Sequence, residues 1–382
     1  MTLHPSHLHD LVPTVEPTAD APLQQRLQQA LDRKTKPPGS LGRLEALALQ
    51  VGLVLRSEAP ALQSPQMLVF AADHGIAARG VSAYPQEVTA QMVENMLAGG
   101  AAVSVLTRQM GVALTLVDAG VARELKPRAG LLLRKIGFGT EDCTRGPAMT
   151  PAQCVAAVAA GRAVLRERPG NAVLFGEMGI ANTSSAALLM ARLGGLPLTQ
   201  CVGRGTGLDD AGLAHKTAVL QQALERHAEA HAPVDALAAL GGFEIAMMAG
   251  ALLQAAHERR LIVVDGFIVC AALLVAARLA PAVTDYCVFA HRGAEAGHAR
   301  LLQLLGGEPL LELGLRLGEG SGAALAWPLV EAATRVLREM ASFESAGVSE
   351  SSPRPPGTAA TPRGGRPELG SGPALGPRPR TE

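Results

Sequence analysis

The sequence predicts an α/β protein, a parallel sheet with helices on both faces. Two observations carry this. Short apolar runs alternate along the chain with helix-length stretches, the pattern of strand–helix units. Hydrophobic residues make up 48% of the chain, charged residues 18% and aromatics 3%. A core built mainly from Ala, Leu, Val and Ile suits parallel strands buried on both faces. Crossovers are expected to be right-handed, with ligands bound outside the carboxyl ends of the strands.

In chain order, Leu23, Leu27 and Leu31, then Leu41, Leu44, Leu47 and Val51, follow helical spacing, so Pro22 to Ser57 reads as two helices. The rigid break between them, Lys36-Pro37-Pro38-Gly39-Ser40, is a connector, or Lys36 and Arg43 face an anion. From Met67 the strand candidates are Met67–Ala72, Val112–Val117, Ala172–Phe175, Leu261–Val264 and Cys287–Ala290, with Leu131–Ile136 weaker. Helical stretches are Val88–Leu97, Pro151–Arg168, Thr183–Leu193, Gly212–His227, Glu244–His257, Ile268–Leu279, Ala294–Leu304 and Ala323–Met340. Ser342 to Glu382 is rich in Pro, Gly, Ser, Thr and Arg and reads as a disordered tail, since it cannot bury enough surface to offset ordering entropy.

Several function classes drop out. Net charge is zero and the pI about 7.2, so no basic field attracts nucleic acid, and few aromatics are available for base stacking. The five cysteines, Cys143, Cys154, Cys201, Cys270 and Cys287, form no CxxC pair, so neither a zinc site nor a disulfide framework is expected. Met1 to Glu16 lacks a basic start followed by an apolar run, so no secretory signal is read. The longest apolar stretches, such as Phe267 to Ala280, hold about 14 residues, too few to span a bilayer. A cytoplasmic protein is the expectation.

Three loops can carry chemistry. Glu319 sits among glycines in Leu317-Gly318-Glu319-Gly320-Ser321-Gly322, before an apolar helical stretch. Gly318 and Gly320 let the backbone approach a ligand closely. The acid either faces that ligand or is a helix-start carboxylate favoured by the macrodipole. Gly176-Glu177-Met178-Gly179-Ile180-Ala181-Asn182-Thr183-Ser184-Ser185 follows a strand. Asn182, Thr183 or Ser184 can cap the next helix, whose N-terminus is an anion site or an ordinary cap. In Gly203-Arg204-Gly205-Thr206-Gly207-Leu208-Asp209-Asp210, the amides of Gly205 and Gly207, with Arg204 or the Thr206 hydroxyl, can hold a phosphate or ribose. Neither loop has dinucleotide or P-loop spacing. Asp73 more simply ties down a loop than forms a dyad with His74. His291, Glu295 and His298 suggest packing and capping rather than a metal. Tyr84, Gln91 and Met92 would form a flat apolar slot with one polar handle.

Taken together, these segments resemble one family. The matching stretches are KPPGSLGRLE (36–45), ADHGIAARGVSAYPQEVTAQMV (72–93), GPAMT (146–150), GEMGIANTSSAALL (176–189), GRGTGLDD (203–210), GGFEIAMMAGA (241–251), VDGFI (264–268), AHRGAEAGH (290–298) and LGEGSGAALA (317–326). They resemble, in order and over roughly Pro22 to Met340, the nicotinate-nucleotide–dimethylbenzimidazole phosphoribosyltransferases. The resemblance implies a Rossmann-like sheet domain at 61–320. A small helical domain would come from the chain ends at 1–60 and 321–341, leaving the tail at 342–382. It also implies a homodimer that acts on small molecules, nicotinate mononucleotide and 5,6-dimethylbenzimidazole, without metal or cofactor.

By position, the resemblance makes Glu319 the catalytic base. The loops holding Gly179, Asn182, Gly203, Arg204, Gly205 and Gly207 bind the nucleotide. Tyr84, Gln91 and Met92 lie near the benzimidazole, and Glu177 and Lys216 are further active-site residues. Three places depart from the family pattern: Ala290 for a serine, Ala181 for a glycine, and Glu141-Asp142 for a basic residue and Asn. Ala181 keeps a small side chain, so its loop is expected to persist. Contacts to the nucleotide would weaken at 181 and 141–142.

The implied reaction needs little apparatus. A pyridinium leaves C1′ neutral at its nitrogen, so no general acid is required. An imidazole nitrogen attacks the opposite face, its other N–H becomes acidic, and one carboxylate accepts that proton. Two other readings are the same transfer to adenine, another benzimidazole or a phenol, and an inactive nucleotide-binding sensor.

Overall fold

Six parallel strands make one sheet in the order β3-β2-β1-β4-β5-β6. They are β1 Gln66–Ala72, β2 Ala113–Gly120, β3 Leu131–Leu133, β4 Ala172–Met178, β5 Leu261–Val264 and β6 Cys287–Phe289. The computed structural model describes residues 12–205 and 207–349. All six sequence-derived strand candidates are present. β1 is buried along its whole length and β4 up to its last residue, which is why both read as continuous apolar runs rather than alternating ones.

The helices are α1 Ala21–Asp32, α2 Arg43–Val54, α3 Glu87–Leu97, α4 Ala102–Gln109, α5 Pro151–Arg166, α6 Asn182–Gly194, α7 Asp210–Arg226, α8 Pro233–Leu240, α9 Phe243–His257, α10 Phe267–Leu279, α11 His298–Leu305, α12 Ser321–Glu339 and α13 Phe343–Ala346. Helix α9 packs against β1, β2, β4 and β5 and against α5. Helices α3, α4 and α12 also pack against the sheet, and α12 lies against α2 and α4 as well. The two chain ends therefore meet: α1 packs on α2, α2 on α12, and Lys34 bridges Ser342. No helix among the described residues is long and apolar enough to cross a membrane.

Four elements differ from the sequence reading. Helices α4 and α8 were not anticipated. Helix α11 starts at His298 rather than Ala294. There the backbone N–H of Gly293 donates to His298 Nδ1 at 2.9 Å, and the His298 N–H donates to the Glu295 carbonyl at 3.0 Å, so 294–297 form a turn. The segment read as tail is folded at its start. Ser342 caps α13 through Ser345, and the Phe343 N–H donates to the Arg33 carbonyl. Residues 350–382 of that segment lie outside the described residues, as do residues 1–11 of the N-terminal segment read for a signal.

Strand order reverses between β1 and β4. A crevice opens at such a switch point, at the carboxyl ends of the strands. Asp73 follows β1, Glu177 is the penultimate residue of β4, Asp265 follows β5 and His291 lies just beyond β6, so four polar side chains arrive at the carboxyl end of the sheet.

Candidate active site

Among the described residues, the turn carrying Glu319 is the one place where three consecutive residues take positive φ. Gly318, Glu319 and Gly320 all take positive φ, at 82°, 65° and 91°. That conformation costs a residue with a Cβ about 1–2 kcal/mol, so Glu319 is held under strain of the kind found at functional sites. A Cβ on Gly176, at the end of β4, would lie 2.3 Å from the Glu319 carbonyl oxygen. Glycine there lets the strand and the turn touch.

Two buried carboxylates hold the turn. Glu177 Oε1 accepts the Glu319 N–H at 3.4 Å. Asp265 accepts the Gly320 N–H at 3.1 Å and the Ala323 N–H at 2.8 Å. The Ser321 N–H and hydroxyl both donate to the Gly318 carbonyl, so each N–H from 319 to 321 has a partner. The Glu319 side chain is only 4% exposed, and its Oε2 has no hydrogen-bond partner. Burial raises its pKa, partly offset by the backbone N–H of Val103 at the start of α4. The site therefore holds a buried carboxyl whose proton affinity burial raises and one oxygen of which has no partner.

Glu177 also ties this turn to a second feature. Its other carboxyl oxygen accepts a short hydrogen bond from the Asn182 amide. Burial, then the charge of Asp265, push its pKa up to about 8. Asn182 opens α6, whose N-cap is Ala181 at φ 74°, with no side-chain cap. None of the expected caps performs that role, because Asn182 turns to Glu177 and the Thr183 hydroxyl accepts from Lys216 Nζ at 2.8 Å. Lys216 is 1% exposed, and burial lowers its pKa to about 8. Among the described residues no carboxylate lies within ion-pair distance of it. A pocket forms here between Ser82, Gly179, Asn182, Gly205 and Lys216. An uncapped helix N-terminus beside an unpaired ammonium fits an anion such as phosphate.

The remaining predicted residues divide. Arg204 borders this pocket, but its guanidinium pairs with Asp210 and donates to the Leu208 carbonyl at 3.1 Å. Gly203 faces Ala296 and Gly207 faces open space; Thr206 lies outside the described residues. Tyr84 and Gln91 are exposed and Met92 is half-buried, so the flat slot they were expected to form is not closed within this chain. The expected anion contacts of Lys36 and Arg43 are replaced by ion pairs. Lys36 Nζ lies 2.8 Å from Glu45 Oε1, without hydrogen-bond geometry, and Arg43 pairs with Glu308.

Asp73 does tie down a loop, through the Ala122 N–H at 2.7 Å. His74 bonds Glu244 at 2.7 Å and Ser185 at 3.0 Å rather than forming a dyad with Asp73. Burial pushes His298 down to about 3, so it is neutral and caps the Gly293 amide.

A family model described as Phosphoribosyltransferase matches residues 16–348. The nicotinate-nucleotide–dimethylbenzimidazole phosphoribosyltransferase of Variovorax paradoxus (strain S110) is 64% identical over 338 residues, covering 88% of this chain and 97% of that protein. The Cupriavidus necator protein of the same name is 60% identical over 344 residues, covering 89% and 99%. A crystal structure of the Thermus thermophilus protein of that name superposes with TM-score 0.83 at 41% identity, covering 87% of this chain and all of that one. The chain belongs to the nicotinate-nucleotide–dimethylbenzimidazole phosphoribosyltransferase family.

Within this family chain the departures have distinct surroundings. Ala290 is fully buried and continues the strand pairing through Val264 and Leu311. Asp142 is turned to Arg79 at 2.6 Å and to Thr144 at 2.7 Å. Sequence reasoning missed Asp265 and the Val103 amide, and it named Thr183 only as a helix cap, not as the partner of Lys216. Asp265 had a signal, a lone acid directly after a buried strand. Val103 had none, because its contribution is backbone.

Proposed function

We infer that the protein transfers the phosphoribosyl group of nicotinate mononucleotide to 5,6-dimethylbenzimidazole, releasing nicotinate and forming α-ribazole 5′-phosphate for the lower ligand of cobalamin. One observation carries the reading. Glu177 links an anion pocket and a buried carboxylate with one unpartnered oxygen, accepting from Asn182 on one side and the Glu319 N–H on the other.

In this reading Lys216 and the start of α6 hold the phosphate, so the ribose extends from that pocket toward Glu319. The pyridinium leaves C1′ as neutral nicotinate nitrogen. An imidazole nitrogen of the base forms the new bond on the opposite face, which inverts β to α. Glu319 takes the proton from the other imidazole nitrogen as it becomes acidic. Its burial helps twice: the raised pKa makes the carboxylate a better base, and the absence of water protects the sugar from hydrolysis. Holding two flat rings on opposite sides of one carbon supplies the rest.

The protein works as a homodimer in this reading. Tyr84, 51% exposed, and Leu317, 55% exposed beside Glu319, are apolar surface a second copy would cover. An inactive sensor would have no use for a strained, desolvated acid, so catalysis is favoured.

The test is incubation of purified protein with nicotinate mononucleotide and 5,6-dimethylbenzimidazole, with chromatography for nicotinate and α-ribazole phosphate. Both products are expected. Glu319→Gln should keep the fold and lose on the order of 100-fold or more in kcat. Near-normal turnover by that variant would remove Glu319 from the role.

A further inference from the structure

We infer that Asp265 is a positioning residue for catalysis, which fixes the turn that aims Glu319. The inference rests on Glu319 being the base and goes beyond it. Asp265 is 2% exposed and stands directly after β5, on the strand next to β4. Its two carboxyl oxygens take the Gly320 N–H at 3.1 Å and the Ala323 N–H at 2.8 Å. Those amides lie on either side of the α12 N-terminus, one residue and four residues beyond the base. A single planar group therefore sets both the start of the helix and the exit of the strained turn. Glu177 holds only the entry side, through the Glu319 N–H.

The neighbours of Asp265 support a backbone role rather than a charge role. His291 Nε2 lies 3.7 Å from Asp265 Oδ1, and burial lowers the His291 pKa, so this contact is not an ion pair. A Cβ on Gly322 would sit 2.1 Å from His291 Cδ2, so the imidazole walls in the same helix start. Asp265 does not line the anion pocket and makes no hydrogen bond to the free oxygen of Glu319, so it reaches the base through the turn, with its charge on Glu177 a secondary influence. Loss of either acceptor bond would let 318–320 relax toward an ordinary conformation and carry the carboxylate away from its target, while Lys216 and α6 stay in place.

The test is a double-mutant cycle on the full chain with Asp265→Asn, Glu319→Gln and the double variant. Each is assayed for kcat and for KM toward nicotinate mononucleotide. Asparagine keeps the shape but can accept with only one of its two groups. Expected for Asp265→Asn is a kcat fall of about 10-fold to about 100-fold with KM for the nucleotide unchanged. No further fall is expected when the change is added to Glu319→Gln.

Multiplicative losses in the double variant would overturn the inference, because Asp265 would then act independently of Glu319. An unchanged kcat in folded Asp265→Asn would overturn it as well. If the asparagine variant does not fold, Asp265→Ser, which retains one acceptor, takes its place in the cycle with the same outcomes. If Glu319→Gln alone turns over normally, the base assignment fails first, visibly and without reference to Asp265, and the positioning role falls with it.

Discussion

Lys216 is a cation enclosed by protein, and among the described residues its acceptor is a threonine hydroxyl. Leaving a buried charge unpaired is expensive, and the lysine answers by lowering its pKa to about 8. It is charged at neutral pH and half neutral near pH 8 in the free protein. A phosphate dianion is already fully ionised above pH 7, so of the two partners in that contact only the lysine changes charge there. KM for nicotinate mononucleotide is therefore expected to rise as pH passes about 8, with kcat less affected. Lys216→Met should raise KM by about 10-fold or more, the worth of one charge-assisted hydrogen bond, and should flatten its pH dependence. Initial-rate kinetics from pH 7 to pH 9.5 would check this, and a flat wild-type KM would count against Lys216 as the phosphate ligand. Glu177 titrates in the same window, and the methionine variant separates the two.

Helix α6 shows how an element can begin badly in order to bind. Its N-cap Ala181 sits at φ 74° without a side-chain cap, a conformation that costs an alanine about 1–2 kcal/mol. Ala181→Gly removes that strain but costs about 0.4–1 kcal/mol through greater unfolded-state entropy. A net gain of up to about 1.5 kcal/mol is expected, read as a higher denaturation midpoint with activity retained. A lower midpoint would refute the strain account. The elements themselves were largely legible: all six strands showed because strands covered on both faces are unbroken apolar runs. Helices α4 and α8 were missed because each is 8 residues long, barely two turns of periodicity. In the site, Glu319 and the 176–182 loop stood out because glycines interrupt apolar runs there. Asp265 could be noticed as a lone acid after a strand, but its role could not be read, because its partner Gly320 lies 55 residues away and only the order of β4 and β5 brings them together. The slot expected from Tyr84, Gln91 and Met92 stays open because nothing in one chain covers it.

At the scale of the whole molecule, net charge is zero, yet acidic side chains crowd at the carboxyl end of the sheet. Glu177 and Asp265 are both fully enclosed, and burial pushes them to about 8 and about 7, the Asp265 charge adding to the rise at Glu177. A carboxyl whose pKa is higher in the folded than in the unfolded chain holds its proton more tightly when folded. Its stabilising contribution is complete below the unfolded value and is lost as pH climbs through the folded one. For Glu177 the window runs from 4.5 to about 8, and for Asp265 from 3.8 to about 7. Stability should therefore decline toward alkaline pH by more than surface groups explain. Glu177→Gln isolates one contribution. Its amide oxygen can still accept the Glu319 N–H, while its amide nitrogen meets the Asn182 amide with a fixed, pH-independent cost. That cost sets where the variant's curve begins. Its thermal midpoint should then gain on the wild type across the Glu177 window and level off above it. The relative gain should be on the order of a few kcal/mol. Parallel midpoint curves for the two proteins from pH 5 to pH 9 would mean that Glu177 titrates normally, and that the link between anion pocket and base is held by an ionised carboxylate instead of a protonated one.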